Sequence, residues 1–151
     1  MRLGTRIAVD LGDRRIGVAR SDPSGLMGVP VTTVTRGVGD VQALVALVNE
    51  YEAIELILGL PLTLQGDDGP AAVKVRAFAD DFAPQCPCPV RLVDERMSTT
   101  QAQRSLHDAG RSVKSSRAII DQAAAVVILQ SALDNERSTG VAPGVLVEVD
   151  R

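Results

Sequence analysis

Three carboxylates stand where side-chain chemistry disfavours them. Asp10 lies near the end of the apolar run Arg6-Ile7-Ala8-Val9-Asp10-Leu11, although strands are depleted of Asp. Period-two alternation puts Asp10 on the face of Ala8, opposite Ile7, Val9 and Leu11, and small neighbours leave space around its oxygens. Glu95, with Asp94, follows the carboxyl end of a short strand, Val90–Val93. Asp121 sits early in a long apolar helix, on one stripe with Ala118, Ala125, Ile128 and Ala132. Each has a plainer reading: a hairpin residue beside Gly12-Asp13, a solvated loop acid, a carboxylate favouring a helix N-terminal dipole. Together they point elsewhere, because buried carboxylates near one another cannot all stay ionised without a cation. A hard divalent ion with oxygen ligands resolves the conflict. Magnesium fits best, since it keeps waters and binds phosphate with the help of one or two carboxylates.

Other chemistries lack their residues. The chain has no G-x-S-x-G, no G-x-G-x-x-G and no Gly-Lys pair for a phosphate loop. His107 is the sole histidine and falls mid-helix beside Leu106, so it reads as a surface or packing residue and leaves little for a Ser-His-Asp or His-based metal site. Cys86-Pro87-Cys88 has one intervening residue, a poor fit to a zinc knuckle, and reads as a pair of loop cysteines. Basic residues gather where phosphate would be expected. Arg96, Arg104, Arg111, Lys114 and Arg117 face the single acid Asp108, and Arg14, Arg15 and Arg20 flank the Asp10 strand. A solvated surface is the alternative. The basic loop leads into the helix of Asp121, where phosphates could also meet backbone N–H groups.

The elements that must position these residues follow from turn and period signals. Strands are expected at Arg6–Leu11, Arg15–Arg20 and Val29–Thr35, joined by Gly12-Asp13 and by a type I turn at Asp22-Pro23-Ser24-Gly25. Asp40 is expected to cap a helix buried through Val41, Leu44, Val45 and Val48. Ile54–Leu60 reads as a parallel strand covered on both faces. A helix from Pro70 should bury Ala71, Val75, Phe78, Ala79 and Phe82. After Val90–Val93, a capping box at Ser98 and Gln101 opens a helix ending at Gly110, and a last helix spans Arg117 to Asn135. The order β-β-β-α-β-α-β-α-α implies one mixed α/β sheet, three antiparallel strands then alternating β and α, with helices on its faces. One domain over 1–135 is expected, with a tail at 136–151 that could be a strand or a flexible end.

Composition sets limits. At 151 residues, 45% hydrophobic, the chain suits one domain with a true core. No apolar run approaches a membrane span, and Met1–Arg6 leads into a strand rather than a signal peptide, so a cytoplasmic protein is expected. The net charge of −3 and the lone Tyr51, Phe78 and Phe82 offer no global basic field and no stacking platform. Any nucleic-acid role must rest on local charge and metal.

Four blocks carry a resemblance. They are Ala8-Val9-Asp10-Leu11-Gly12-Asp13-Arg14-Arg15-Ile16-Gly17-Val18-Ala19-Arg20-Ser21-Asp22, then Leu58-Gly59-Leu60-Pro61-Leu62 with Gly69-Pro70 downstream. The third is Val93-Asp94-Glu95-Arg96-Met97-Ser98-Thr99, and the fourth is Ile120 to Gln130. In this order they resemble the bacterial YqgF-type pre-16S ribosomal RNA nucleases, also described as Holliday-junction-resolvase-like. The resemblance implies a ribonuclease H-like fold, catalytic and metal-holding acids at Asp10, Glu95 and Asp121, and maturation of the 5′ end of small-subunit ribosomal RNA. Arg14 stands where the family often has Lys, and Gln65 replaces its usual acid before Gly66. The expected mechanism is hydrolysis of a phosphodiester assisted by Mg2+, or Mn2+ in its place, giving a 5′-phosphate and a 3′-hydroxyl. Arg14, Arg15, Arg96, Lys114 and Arg117 are the expected nucleic-acid contacts. Branched DNA is the alternative substrate, with a dimer expected for a junction resolvase and a monomer open to a processing enzyme. A non-catalytic RNA-binding or transcription-associated factor is a third reading. Asp10-x-Gly12 with Gly17-Val18-Ala19 also resembles the first phosphate loop of actin-like ATPases, but those need two such domains and this chain is too short.

Overall fold

A computed structural model describes residues 1–97 and 117–149. Three strands come first, β1 (Arg6–Leu11), β2 (Arg15–Ser21) and β3 (Gly28–Thr35), followed by α1 (Asp40–Glu50), β4 (Glu55–Leu60) and α2 (Pro70–Phe82). A 3-10 turn at Ala83–Gln85 leads to β5 (Val90–Asp94), and a second covers Glu95–Met97. Then come α3 (Arg117–Thr139) and β6 (Val145–Leu146). The expected helix from Ser98 to Gly110 and the basic loop with Lys114 lie outside the described residues.

The strands form one sheet in the order β3-β2-β1-β4-β5-β6. β1, β2 and β3 are the expected antiparallel meander, and its second turn closes through Gly25 N–H donating to the Asp22 carbonyl at 3.0 Å. β1, β4 and β5 run parallel, so their carboxyl ends share one edge of the sheet. All six residues of β4 are buried, as a central parallel strand requires.

Alternation sorts the strand residues into two layers. Ile7, Val9, Ile16, Val18, Leu56 and Leu58 pack with α1 and α2, whose Leu44, Val48, Val75, Phe78, Ala79 and Phe82 are buried with them. Ala8, Ala19, Ile57 and Val93 face the other way, onto Ala125, Ile128, Leu129, Ala132 and Leu133 of α3. The sheet is therefore covered on both faces, as expected.

Details differ from the sequence expectations. Gly39, with φ of 92°, takes the N-cap place, and Asp40 is the first helical residue of α1. Asp40 still serves the helix start, accepting from Gly37 N–H at 3.1 Å and Val41 N–H at 2.7 Å. In α2 the buried face begins at Ala72 rather than Ala71, which is exposed. α3 runs past Asn135 to Thr139, and β6 pairs antiparallel with β5. Among the described residues no helix is long and apolar enough to cross a membrane.

Charge is buried at the amino end of β1. Arg6 is 1% exposed; its Nη2 donates to Glu136 Oε2 of α3 at 2.8 Å and to the Arg2 carbonyl at 2.8 Å, while Nη1 donates to the Gly4 carbonyl at 2.8 Å. Arg2 also donates to Glu136. Glu55, equally buried, accepts from Arg91 Nε at 2.7 Å and pairs with Arg2 at 3.1 Å. The network ties the chain start, the central strands and the last turns of α3 together.

Candidate active site

The three acids reach one region from three elements. Asp10 lies in β1 beside Gly17 of β2, on the same face as Ala8, which α3 covers. Glu95 follows the last residue of β5, and Asp121 comes down from the first turns of α3. Two glycines make the approach possible. A Cβ on Gly17 would fall on the Asp121 carbonyl, so α3 can lie this close to β2 only over a glycine. A Cβ on Gly59 would stand 2.6 Å from Glu95 Oε1 and 2.6 Å from Ile128 Cδ1. Gly59 thus leaves the space into which the Glu95 carboxyl folds, over β4.

The electrostatics register this gathering. Burial pushes the Asp10 carboxyl up to about 6, and the nearby charge of Asp121 adds to the rise. Burial likewise pushes Glu95 up to about 7, helped by Asp10 and then by Asp94. Among the described residues neither Asp10 nor Glu95 has an ion-pair partner. Asp121 does: Arg15 Nε donates to its Oδ2 at 2.8 Å. Asp94 is held below the usual carboxylate range by Arg96, whose Nη2 lies 2.7 Å from Asp94 Oδ2.

The expected metal site has the right donors in kind. Two carboxyls, Asp10 and Glu95, are destabilised as anions by burial and by neighbouring carboxylates, and a cation relieves both. As they stand, no three His, Cys, Asp or Glu side chains among the described residues are close enough to hold one ion, and Asp121 is turned onto Arg15.

The basic residues divide. Arg14 is exposed at the β1–β2 turn, and among the described residues it has no ion-pair partner. Arg15 and Arg96 are engaged with Asp121 and Asp94, and Arg96 Nη1 also donates to the Leu64 carbonyl at 3.3 Å. Arg20 lies over the Tyr51 ring, 5.0 Å from its centre. Lys114 and the Arg117 side chain lie outside the described residues. A cleft of about 680 Å³ lined by Pro87, Cys88, Val90, Leu146 and Glu148 opens at the amino end of β5, away from Glu95.

Two expected results follow from this geometry. Gly59→Ala should destabilise the protein by about 1–3 kcal/mol, the usual cost of overpacking a close contact. It should also let the Glu95 carboxyl swing toward water, so that its titration, followed by carbon NMR, falls toward 4.5. An unmoved Glu95 titration would show that Gly59 does not position it. The second result concerns pH. Asp10 and Glu95 titrate near 3.8 and 4.5 when unfolded, and higher when folded. Between about pH 4 and 7 the folded state therefore binds more protons, and its stability falls as pH rises. The contribution is full below about pH 4 and lost above about pH 7, in two steps shared by the interacting pair. Urea unfolding in EDTA across this range measures it, after comparison with a variant lacking both acids. Equal slopes would contradict the assignment.

A mixed sheet in this strand order, with two helices on one face and a long helix on the other bearing an acid against the β1 acid, is a ribonuclease H-like fold. T. thermophilus RuvC, solved in complex with a Holliday junction substrate, superposes with a TM-score of 0.63 over 93% of this chain and 99% of that one, at 14% identity. The profile described as "RuvX: Holliday junction resolvase" matches residues 4–135, and the chain belongs to that family. A protein of Nocardioides sp. JS614 named "Putative pre-16S rRNA nuclease" is 54% identical, covering 98% of this chain and 99% of its own. A Streptomyces avermitilis protein of the same name is 56% identical, over 99% and 97%.

Proposed function

We propose that this protein is a divalent-metal-dependent nuclease that hydrolyses phosphodiester bonds and trims the 5′ end of precursor 16S ribosomal RNA. What carries the reading is the shared field of Asp10, Glu95 and Asp121, in which burial and neighbouring carboxylates raise Asp10 and Glu95 toward neutrality. That field occurs in a chain more than half identical, nearly end to end, to relatives bearing the nuclease name. Asp10, Asp121 and Glu95 would hold Mg2+, or Mn2+ in its place. When bound, such an ion supplies Lewis-acid polarisation of the phosphoryl group and a water acidified to act as nucleophile. The chain's own part is to keep the three acids oriented, to exclude bulk water from Asp10, and to bind the phosphate backbone. Arg14, Lys114 and Arg117 are assigned to that contact, and Arg96 to the rim beside Asp94. Phosphate contacts of this kind position a strand without reading its sequence.

The family description favours a second reading, cleavage of four-way DNA junctions. One preparation of the full chain, offered precursor 16S RNA and a four-way DNA junction with Mg2+, separates the two. The RNA reading expects cleavage of the precursor with the DNA left intact. Cleavage of the junction alone would overturn it in favour of the resolvase. Binding of either without cleavage under Mg2+ or Mn2+, unaffected by loss of all three acids, would leave a non-catalytic factor.

A further inference from the structure

We infer that Arg15 is an exchangeable counter-ion of the acidic centre: it holds Asp121 while no divalent cation is bound, and is released to a nucleic-acid phosphate when one is. The inference rests on the nuclease reading and adds a positioning residue to it. Arg15 opens β2, directly after the turn, where its carbonyl accepts from Gly12 N–H at 2.9 Å. Its side chain crosses to α3, where Nε donates to Asp121 Oδ2. Among the described residues, its Nη groups have no hydrogen-bond partner. No other base among the described residues pairs with Asp10, Glu95 or Asp121, so among them Arg15 is the built-in cation of this centre.

The pair is made to open. Arg15 and Asp121 side chains are 32% and 23% exposed, whereas those of the Arg6–Glu136 pair are 1% and 4% exposed. A partly solvated ion pair contributes little to stability and exchanges readily; a buried one does not. A divalent ion on Asp121 and the Arg15 guanidinium repel each other, and both draw on the charge of the same carboxylate. Cation and Arg15 therefore compete for one carboxylate. The guanidinium that leaves lies next to exposed Arg14 and carries the fork that suits a phosphate. Cation and polynucleotide are thereby coupled through one side chain, and such coupling is reciprocal.

The test uses the full chain and the variants Arg15→Gln and Arg15→Lys, with thermal melts to confirm folding. Mn2+ is titrated calorimetrically without nucleic acid. Arg15→Gln should bind it about 3–10-fold more tightly than the parent, and Arg15→Lys, which keeps the charge, should return toward the parent value. A structural brace for Asp121 would give the opposite sign. RNA binding is then read by fluorescence anisotropy, in EDTA and in Ca2+. Arg15→Gln should weaken it several-fold in Ca2+ and little in EDTA. Unchanged or weaker Mn2+ affinity in Arg15→Gln, or an equal RNA defect under both conditions, overturns the inference alone. A parent protein that binds no divalent cation overturns the nuclease reading and the inference with it.

Discussion

Asp10→Asn is expected to abolish cleavage and, in the same protein, to raise the stability of the cation-free state. The two effects share one cause. Asp10 is a carboxylate that burial and Asp121 make uncomfortable as an anion, with its titration raised to about 6. The amide keeps the shape and removes the charge. Above pH 7 the variant should gain roughly 1–2 kcal/mol, part of the free energy that such a shift represents. Cleavage should fall by well over a hundredfold, since even groups that only orient a metal ligand cost about 10–100-fold when lost. Mg2+ should raise the melting temperature of the parent and leave that of the variant unmoved. Thermal melts with and without Mg2+, beside a cleavage assay, read all three quantities. An active variant, or one destabilised in EDTA, would remove Asp10 from the centre.

The largest loss of stability is expected far from the acids, at Glu136→Ala. This change strands the Arg6 guanidinium, 1% exposed, without its carboxylate. Breaking one side of a buried pair costs about 3–5 kcal/mol, a large share of a domain's ~5–15 kcal/mol. A fall in melting temperature of about 10 °C follows for a chain of this size. Burial pushes the Glu136 carboxyl up, but hydrogen bonds and charge from Arg2, with charge from Arg6, more than offset it and hold it below the ordinary range. Its contribution is therefore present above about pH 4.5 and lost as the pH falls below that. The double change Arg6→Met with Glu136→Leu should recover much of the loss, because a well-packed apolar pair can replace a buried ionic one. Urea unfolding of the three variants decides; a single change costing less than about 1 kcal/mol would mean the pair is not truly buried.

Much of this was legible because the signals are local. The period-two run around Asp10 placed it on the face of Ala8, the face α3 proves to cover, and the stripe of Asp121 with Ala125, Ile128 and Ala132 is the one that meets the sheet. The order of elements along the chain followed from turn residues and from the change of period after Thr35. What escaped detection depends on contacts distant in sequence. Gly17 and Gly59 are ordinary strand glycines until α3 and Glu95 lie against them. Arg6 reads as the first residue of a strand, and Glu136 as the first residue of the tail, until each is the other's partner across 130 residues. Arg15 stands in the sequence as an expected nucleic-acid contact, and only the fold brings it to Asp121. The shift from Ala71 to Ala72 and from Asp40 to Gly39 is a one-residue phase error, which helix starts set by glycine and proline invite.

α3 carries Asp121 in its second turn and Glu136 in its last, roughly 22 Å apart at ~1.5 Å per residue. One rigid rod thus joins the reactive centre to its mooring at the opposite end of the sheet. A small tilt about that mooring would become a displacement of the acid large enough to matter for chemistry. The Arg6 lock is then a remote calibrator of reactivity, and loosening it should spoil turnover at temperatures where most of the molecule is still folded.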